Sequence, residues 1–296
     1  MILRKTGPES LEIHAPAKLN LYLEVLGKRP DGYHDIDTVM HTVDLYDRVE
    51  IRRTAGECGL RCFGRDAGPV SGNLALRAAL LFRDRCGGTG GFDLRLEKRI
   101  PVGGGLGGGS SDGAAVLAGC NLLSGNPLRL EELRRLGAEL GSDVPFFLSG
   151  GTARCLGRGE LITPIHGIPS LTFVVVFPGF SIPTKRVYEN LNLDLTKCKS
   201  GPSFLIERLE SGRAAEINQC LFNRLEQPAL IYETQLAEAR RQMAGMGLLS
   251  LRMSGSGSSF FQLVEEEEIS GEELEFFHKA ARWDCFLVRS SPMIRP

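Results

Sequence analysis

Apolar residues recur along this chain with two different periods, and the changes of period mark its elements. From Leu11 to Leu26 the pattern is extended, with Leu19, Leu21, Leu23 and Val25 alternating as in a strand. Arg29-Pro-Asp-Gly-Tyr33 has the composition of a turn, and Thr38 to Arg53 reads as a second extended stretch. Leu74, Ala78, Leu81 and Phe82 then fall at helical spacing within Ser71 to Cys86, with Ser71 or Asn73 available as N-cap. Gly91 to Ile100 alternates again, through Phe92, Leu94, Leu96 and Lys98. A glycine run follows, then helices from about Ser110 to Leu123 and from Leu130 to Leu140, the latter stopping at Gly141.

Glycines punctuate a hairpin after Gly150, and a buried strand, Phe173 to Phe177, opens a second half. Helical patterns cover Thr184 to Asn190 and Ser203 to Met246. A serine–glycine loop, Ser254 to Ser259, follows Leu248 to Met253 and precedes a strand, Phe260 to Val264. A helix over 270–283 and a strand, Cys285 to Val288, end the pattern. The order predicts an α+β chain of two domains, 1–165 and 166–296, the second with the element order of a ferredoxin-like half. Arg53 to Ser71 carries no pattern that predicts an element.

Composition narrows the function classes. The 35 basic and 36 acidic side chains nearly cancel, and no basic stripe is visible, which argues against a nucleic-acid partner. The amino terminus lacks the apolar stretch of a signal peptide, and the longest apolar run, Leu171 to Phe180, is too short to span a bilayer. The eight cysteines are scattered without zinc-type spacing. A cytoplasmic protein with reduced cysteines is expected.

The chemistry concentrates at Pro101-Val-Gly-Gly-Gly-Leu-Gly-Gly-Gly-Ser-Ser-Asp112. Without side chains, backbone N–H groups at Gly103, Gly104, Gly105, Gly107, Gly108 and Gly109 can converge on an anion. The loop runs into a helix whose free N–H groups and dipole favour phosphate. Ser110 and Ser111 add hydroxyls for phosphate oxygens or a metal ion. The glycine spacing satisfies a dinucleotide fingerprint only weakly, because a six-glycine run satisfies many patterns, and Leu128 to Leu140, where an acidic residue should end the next strand, reads as helix. No Lys follows the glycines as in a Walker loop, and the protein-kinase tripeptides are absent.

Two further segments accompany this loop: Ala15-Pro-Ala-Lys-Leu-Asn-Leu21 and Arg252-Met-Ser-Gly-Ser-Gly-Ser-Ser259. Together the three resemble the motifs of the GHMP kinases, small-molecule kinases that include homoserine and mevalonate kinases. Arg29-Pro-Asp-Gly-Tyr-His34, Gly141-Ser-Asp-Val-Pro145 and Pro178-Gly-Phe-Ser-Ile-Pro-Thr184 add a likeness to the branch whose acceptor is 4-diphosphocytidyl-2-C-methyl-D-erythritol, of the non-mevalonate isoprenoid pathway.

The resemblance implies a first domain like the second domain of ribosomal protein S5, a ferredoxin-like second domain, and a site in the cleft between them. It implies ATP as co-substrate, Mg²⁺ with the ATP, and a small cytidine diphosphate alcohol as acceptor. It carries over Lys18 and Asp143 as the catalytic pair, although Asp143 also reads as a helix N-cap. Pro101, Leu106 and the loop glycines and serines, with Gly255 and Gly257, are implied to hold ATP. Asn73 is implied to contact adenine, with N-capping as the competing role. Asn20 shares a strand face with Lys18 and is expected to contact the acceptor. Tyr33 and Tyr188 are expected to sandwich the cytosine, with His34 at its edge and Thr184 nearby. No His, Cys and carboxylate cluster suggests a resident metal. Other GHMP kinases, an RNA-binding protein and a nicotinamide dehydrogenase are the alternatives.

Overall fold

A computed structural model describes residues 1–87, 90–192, 201–265, 279 and 282–291. The first sheet is organised by two very long strands, β2 (Ser10–Lys28) and β3 (His34–Thr54), preceded by β1 (Ile2–Gly7). Their length follows from near-continuous burial: every residue from Ala15 to Leu23 is buried, because both faces of the ribbon are covered. Pro16 has no N–H to give the ladder, and the β2–β3 register shifts between Pro16 and Ala17.

β3 serves two neighbours. Its second half pairs with β5 (Gly91–Lys98), and Ile36 to His41 pairs with β6 (Thr152–Gly157), which β7 (Leu161–Ile165) extends. The unassigned stretch after Arg53 supplies β4 (Gly59–Gly64), parallel to β5. Four helices cover the sheet: α1 (Leu74–Cys86), α2 (Gly108–Leu123), α3 (Leu130–Leu140) and α4 (Val144–Ser149). Their apolar faces and those of β2, β3 and β5 form one core around Ile13, Ile51, Phe82, Leu94 and Phe147. Asn73, not Ser71, caps α1, its side chain accepting from Ala75 N at 2.9 Å. α2 starts two residues before Ser110, because Gly107 turns the chain at φ +73°.

The second sheet has order β10-β11-β8-β12: β8 (Thr172–Phe177), β10 (Arg252–Met253), β11 (Phe260–Val264) and β12 (Asp284–Arg289), every pairing antiparallel. α5 (Thr184–Glu189) follows β8. The helical run expected from Ser203 to Met246 is four helices, α6 (Pro202–Leu209), α7 (Ala214–Cys220), α8 (Glu226–Tyr232) and α9 (Thr234–Gly245). Gly212, at φ +69°, breaks the first pair, and the Glu233 side chain caps α9 by accepting from Gln235 N. Between α7 and α8 the chain extends as β9 (Phe222–Asn223) and pairs parallel with Tyr22 and Leu23 of β2. Apart from residues 279, 282 and 283, the helix expected over 270–283 lies outside the described residues.

The two sheets part between Ile165 and Thr172, yet they share an apolar cluster of Ala17, Leu19 and Leu21 with Phe173, Val175 and Ile217. β9 and this cluster fix the cleft that the sheets enclose. No helix among the described residues is long and apolar enough to cross a membrane.

Candidate active site

Three segments far apart in sequence converge on Lys18. Its backbone N–H donates to Leu106 O of the glycine loop at 2.9 Å, just past the β2 irregularity. Its ammonium donates to Asn20 Oδ1, the neighbour on the same strand face. Asn20 Nδ2 in turn donates to Thr38 Oγ1 at 2.9 Å, and the Thr38 hydroxyl donates to Tyr22 O at 2.6 Å. This relay orients the Asn20 amide with its oxygen toward Lys18. Burial pushes the Lys18 ammonium below its usual value, and the negative charge of Asp143 opposes that.

Asp143 stands at the start of α4, but its side chain makes no capping hydrogen bond. It faces Lys18 instead, with Oδ2 at 3.9 Å from Nζ. That distance couples the charges without a hydrogen bond, so the carboxylate oxygens stay free to accept from a third group. Lys18 is almost wholly enclosed, whereas the Asp143 side chain keeps 31% of its exposure. A substrate can therefore reach the carboxylate more readily than the ammonium.

Lys18, Asn20 and Asp143 line a cavity of about 980 Å³. A second cavity, about 320 Å³, lies beyond the glycine loop, and both are walled by Gly103, Gly105 and Gly107. Pro101, Gly104, Leu106, Gly108, Gly109, Ser110 and Asn73 line the smaller one. Ser111 lines neither; it is fully buried and its hydroxyl has no partner. The Asn73 oxygen is used as the α1 cap, leaving its amide toward Cys62 Sγ at 3.7 Å. A side chain at Gly107 would meet Phe147 Cζ at 2.8 Å and Lys18 Cγ at 2.9 Å. The glycine is needed there to let the loop close over Lys18, as well as for phosphate.

The serine–glycine loop packs on the first glycine loop. Ser259 N donates to Gly104 O at 3.1 Å, and Ser254 Oγ donates to Gly105 O at 3.0 Å. Gly255 sits above Lys18, where a Cβ would lie 3.1 Å from Nζ. Gly255 and Gly257 both face the larger cavity. Thr184 at the start of α5 joins this loop through a 2.7 Å contact with Ser256 Oγ.

At the far end of the larger cavity lie Tyr33, His34 and Tyr188. Each tyrosine ring has another partner. The His34 ring lies on Tyr188, with centroids 4.7 Å apart and planes 28° apart. Tyr33 is half exposed and carries the Arg158 guanidinium over its face at 4.8 Å. Burial pushes the Tyr188 hydroxyl up to about 12. Lys28, Arg158 and Lys185 also line this cavity, Lys185 beside Glu189 at 4.0 Å.

The family model described as "GHMP kinases N terminal domain" matches residues 73–151, the span from α1 through the glycine loop to Asp143. A protein of Pelotomaculum thermopropionicum named 4-diphosphocytidyl-2-C-methyl-D-erythritol kinase is 41% identical over 255 residues, covering 86% of this chain and 89% of its own length. The protein of that name from Synechococcus elongatus is 39% identical, with 92% of each covered. The chain belongs to the 4-diphosphocytidyl-2-C-methyl-D-erythritol kinase family. A solved structure titled as that kinase superimposes with TM-score 0.77 at 36% identity, over 95% of this chain and all of its own. A homoserine kinase from Cytophaga hutchinsonii superimposes with TM-score 0.70 at 19% identity, a likeness of fold alone. The chain is thus a kinase of the GHMP fold, using ATP.

Membership in the 4-diphosphocytidyl-2-C-methyl-D-erythritol kinase family leaves two groups around the site that the sequence motifs do not single out. Beneath the phosphate loop, Lys98 donates to Asp47 and, at 2.7 Å, to Asp112. Burial, reinforced by Asp47, pushes the Asp112 carboxyl well above its usual range, and Lys98 offsets part of that. The signal for Lys98 was its place in register with Phe92, Leu94 and Leu96: a lysine on an apolar face needs a buried partner. Across the cleft, Asn223 of β9 donates to Met253 O and Gly255 O, both at 2.7 Å. Next to it Arg224 pairs with Glu24 through two 2.6 Å contacts. Asn223 was hidden inside what reads as one long helical run.

Proposed function

We propose that the cleft transfers the γ-phosphoryl group of ATP to the 2-hydroxyl of 4-diphosphocytidyl-2-C-methyl-D-erythritol, with Asp143 as base and Lys18 as its charged partner. The products are ADP and the 2-phosphate, in the non-mevalonate isoprenoid precursor pathway. The observation that carries this reading is the free carboxylate of Asp143 beside enclosed Lys18 in the larger cavity, which shares the wall of Gly103, Gly105 and Gly107 with the smaller one. ATP occupies the smaller cavity and the acceptor the larger, so the reacting groups meet across Gly103, Gly105 and Gly107.

Asp143 accepts the hydroxyl proton as the alcohol oxygen bonds to phosphorus and the bond to the ADP oxygen breaks. Lys18, held by Asn20, orients the Asp143 carboxylate from 3.9 Å and offsets charge on the migrating group. Phosphoryl transfer depends mostly on such positioning and charge stabilisation. Mg²⁺ bound with ATP would supply neutralising charge for the phosphates. Ser110 fits as the residue that would hold it, because it lines the smaller cavity. At the far end, a cytosine stacks on Tyr188 by taking the place of the His34 ring, which then reads the base edge. Tyr33 closes the pocket, and Lys28, Arg158 and Lys185 offset the diphosphate. The two domains of this reading are 1–165 and 166–296.

The test of the base is Asp143→Asn in single-turnover kinetics at saturating ATP and acceptor. Loss of a positioned base lowers the rate roughly 10²–10⁴-fold, with binding of both ligands retained. A rate within tenfold of the parent would remove Asp143 from this role.

A further inference from the structure

The chemical steps above make no use of one of the most enclosed charge groups in the chain. Lys98 ends β5, Asp47 lies on β3 and Asp112 is in the first turns of α2, and all three side chains are at most 3% exposed. Asp47 is fully engaged: Oδ1 accepts from Arg99 N at 2.6 Å and Ile100 N at 2.9 Å, and Oδ2 accepts from Lys98. Asp112 accepts from Lys98 through Oδ2, while its Oδ1 has no partner. The lysine is thus the link that ties α2 to both strands. It also lies directly under the turn where the phosphate loop becomes helix. A Cβ at Gly108 would stand 3.1 Å from Lys98 Nζ and 3.2 Å from Asp47 Oδ2.

We propose that Lys98, clamped between Asp47 and Asp112, is a positioning residue that fixes the phosphate loop from beneath and thereby sets the affinity for ATP. The physical reason is twofold. Removing one partner of a buried ionic group leaves the others uncompensated, so the helix start must shift or admit water. The same ammonium offsets the carboxylates of Asp47 and Asp112, which without it would set negative charge beneath the N–H groups that receive phosphate. Lys98 lies on the side of the loop away from the acceptor cavity, whose walls include neither it nor Asp112. Its influence therefore falls on ATP rather than on the alcohol.

This rests on the smaller cavity being the ATP site, so the test separates the two. Calorimetry with ATP alone and steady-state kinetics with each substrate varied are run on the parent, Lys98→Met, Lys98→Arg and Asp112→Asn. Lys98→Met is expected to weaken ATP binding and raise KM for ATP by at least about tenfold. KM for the acceptor should stay within about threefold. Lys98→Arg restores a cation and should recover most of the loss. Asp112→Asn keeps shape and leaves Lys98 to Asp47 alone, and should raise KM for ATP by less than Lys98→Met does. If Lys98→Met does not fold, Asp112→Asn carries the test, and parental ATP affinity in that variant overturns the proposal. Equal rises in both KM values, or no recovery with Arg, also overturn it. A parent that binds no ATP defeats the site assignment instead. A parent that binds ATP but phosphorylates none of the acceptors defeats the reaction and leaves the calorimetric test intact.

Discussion

Replacing Gly105 with alanine should cost this enzyme most of its ATP-dependent activity while leaving it folded. Gly105 has φ +76°, a conformation that L residues reach at about 1–2 kcal/mol. A Cβ there points into Ser254 O of the opposing loop, well inside contact distance, and lies 3.0 Å from Gly257 O. Neither neighbour is a flexible side-chain end, so the two loops must separate. Separation strains the bonds from Ser254 Oγ to Gly105 O and from Ser259 N to Gly104 O, each worth about 0.5–1.5 kcal/mol net. The combined loss, about 3 kcal/mol, falls on the closed arrangement of loops, and corresponds to roughly a hundredfold in kcat/KM for ATP. The assay is steady-state kinetics with ATP varied, beside a urea unfolding curve. The expected result is that fall in kcat/KM with a cooperative unfolding transition retained. A kcat/KM for ATP within threefold of the parent would mean that the contact between the loops is not part of the working site.

Stability should fall on acidification because of His41. It is fully buried between Thr152 Oγ1 and Ser290 Oγ, and burial lowers its pKa to about 4. The unfolded chain, titrating near 6.5, takes up the proton first, so stability is lost as pH falls from about 6.5 to about 4, by up to about 3 kcal/mol. Urea unfolding at pH 7 and pH 4.5 should show this loss in the parent and a smaller one in His41→Gln; equal losses would clear His41. Tyr188→Ala should weaken CDP binding by about 1–3 kcal/mol, and the parent should prefer CDP to UDP by calorimetry; no preference would dismiss the cytosine pocket. Asn223→Ala removes the amide that donates to Met253 O and Gly255 O at the serine–glycine loop, a loss of about 1–3 kcal/mol. It should lower kcat/KM at least about tenfold, and an unchanged value would show that the loop holds itself.

Most elements of this fold could be read from the chain because their signals are local. The period of Leu94 and Leu96, the helical spacing of Leu74 and Ala78, and Gly141 after Leu140 each report on a few neighbouring residues. What escaped depends on distant partners. β4 is an edge strand with exposed residues, and only its pairing to β5 makes it a strand. β9 is two residues long and owes its form to β2. The site divides in the same way. The glycine loop announces itself, since a run of residues without side chains has few other uses. The clamp of Lys98 by Asp47 and Asp112 joins positions that no spacing connects. The stacking of His34 on Tyr188 joins the start of β3 to α5, and neither segment alone indicates it.

The central claim is the identity of the phosphoryl acceptor, and ADP release in a coupled assay tests it most directly. The purified chain with Mg²⁺ and ATP would be offered 4-diphosphocytidyl-2-C-methyl-D-erythritol, homoserine, mevalonate and galactose in parallel. ADP should appear in stoichiometric amount with the diphosphocytidyl alcohol and stay at the background rate with the other three. Turnover of homoserine or mevalonate at a comparable kcat/KM, or none with the diphosphocytidyl alcohol, would contradict the account.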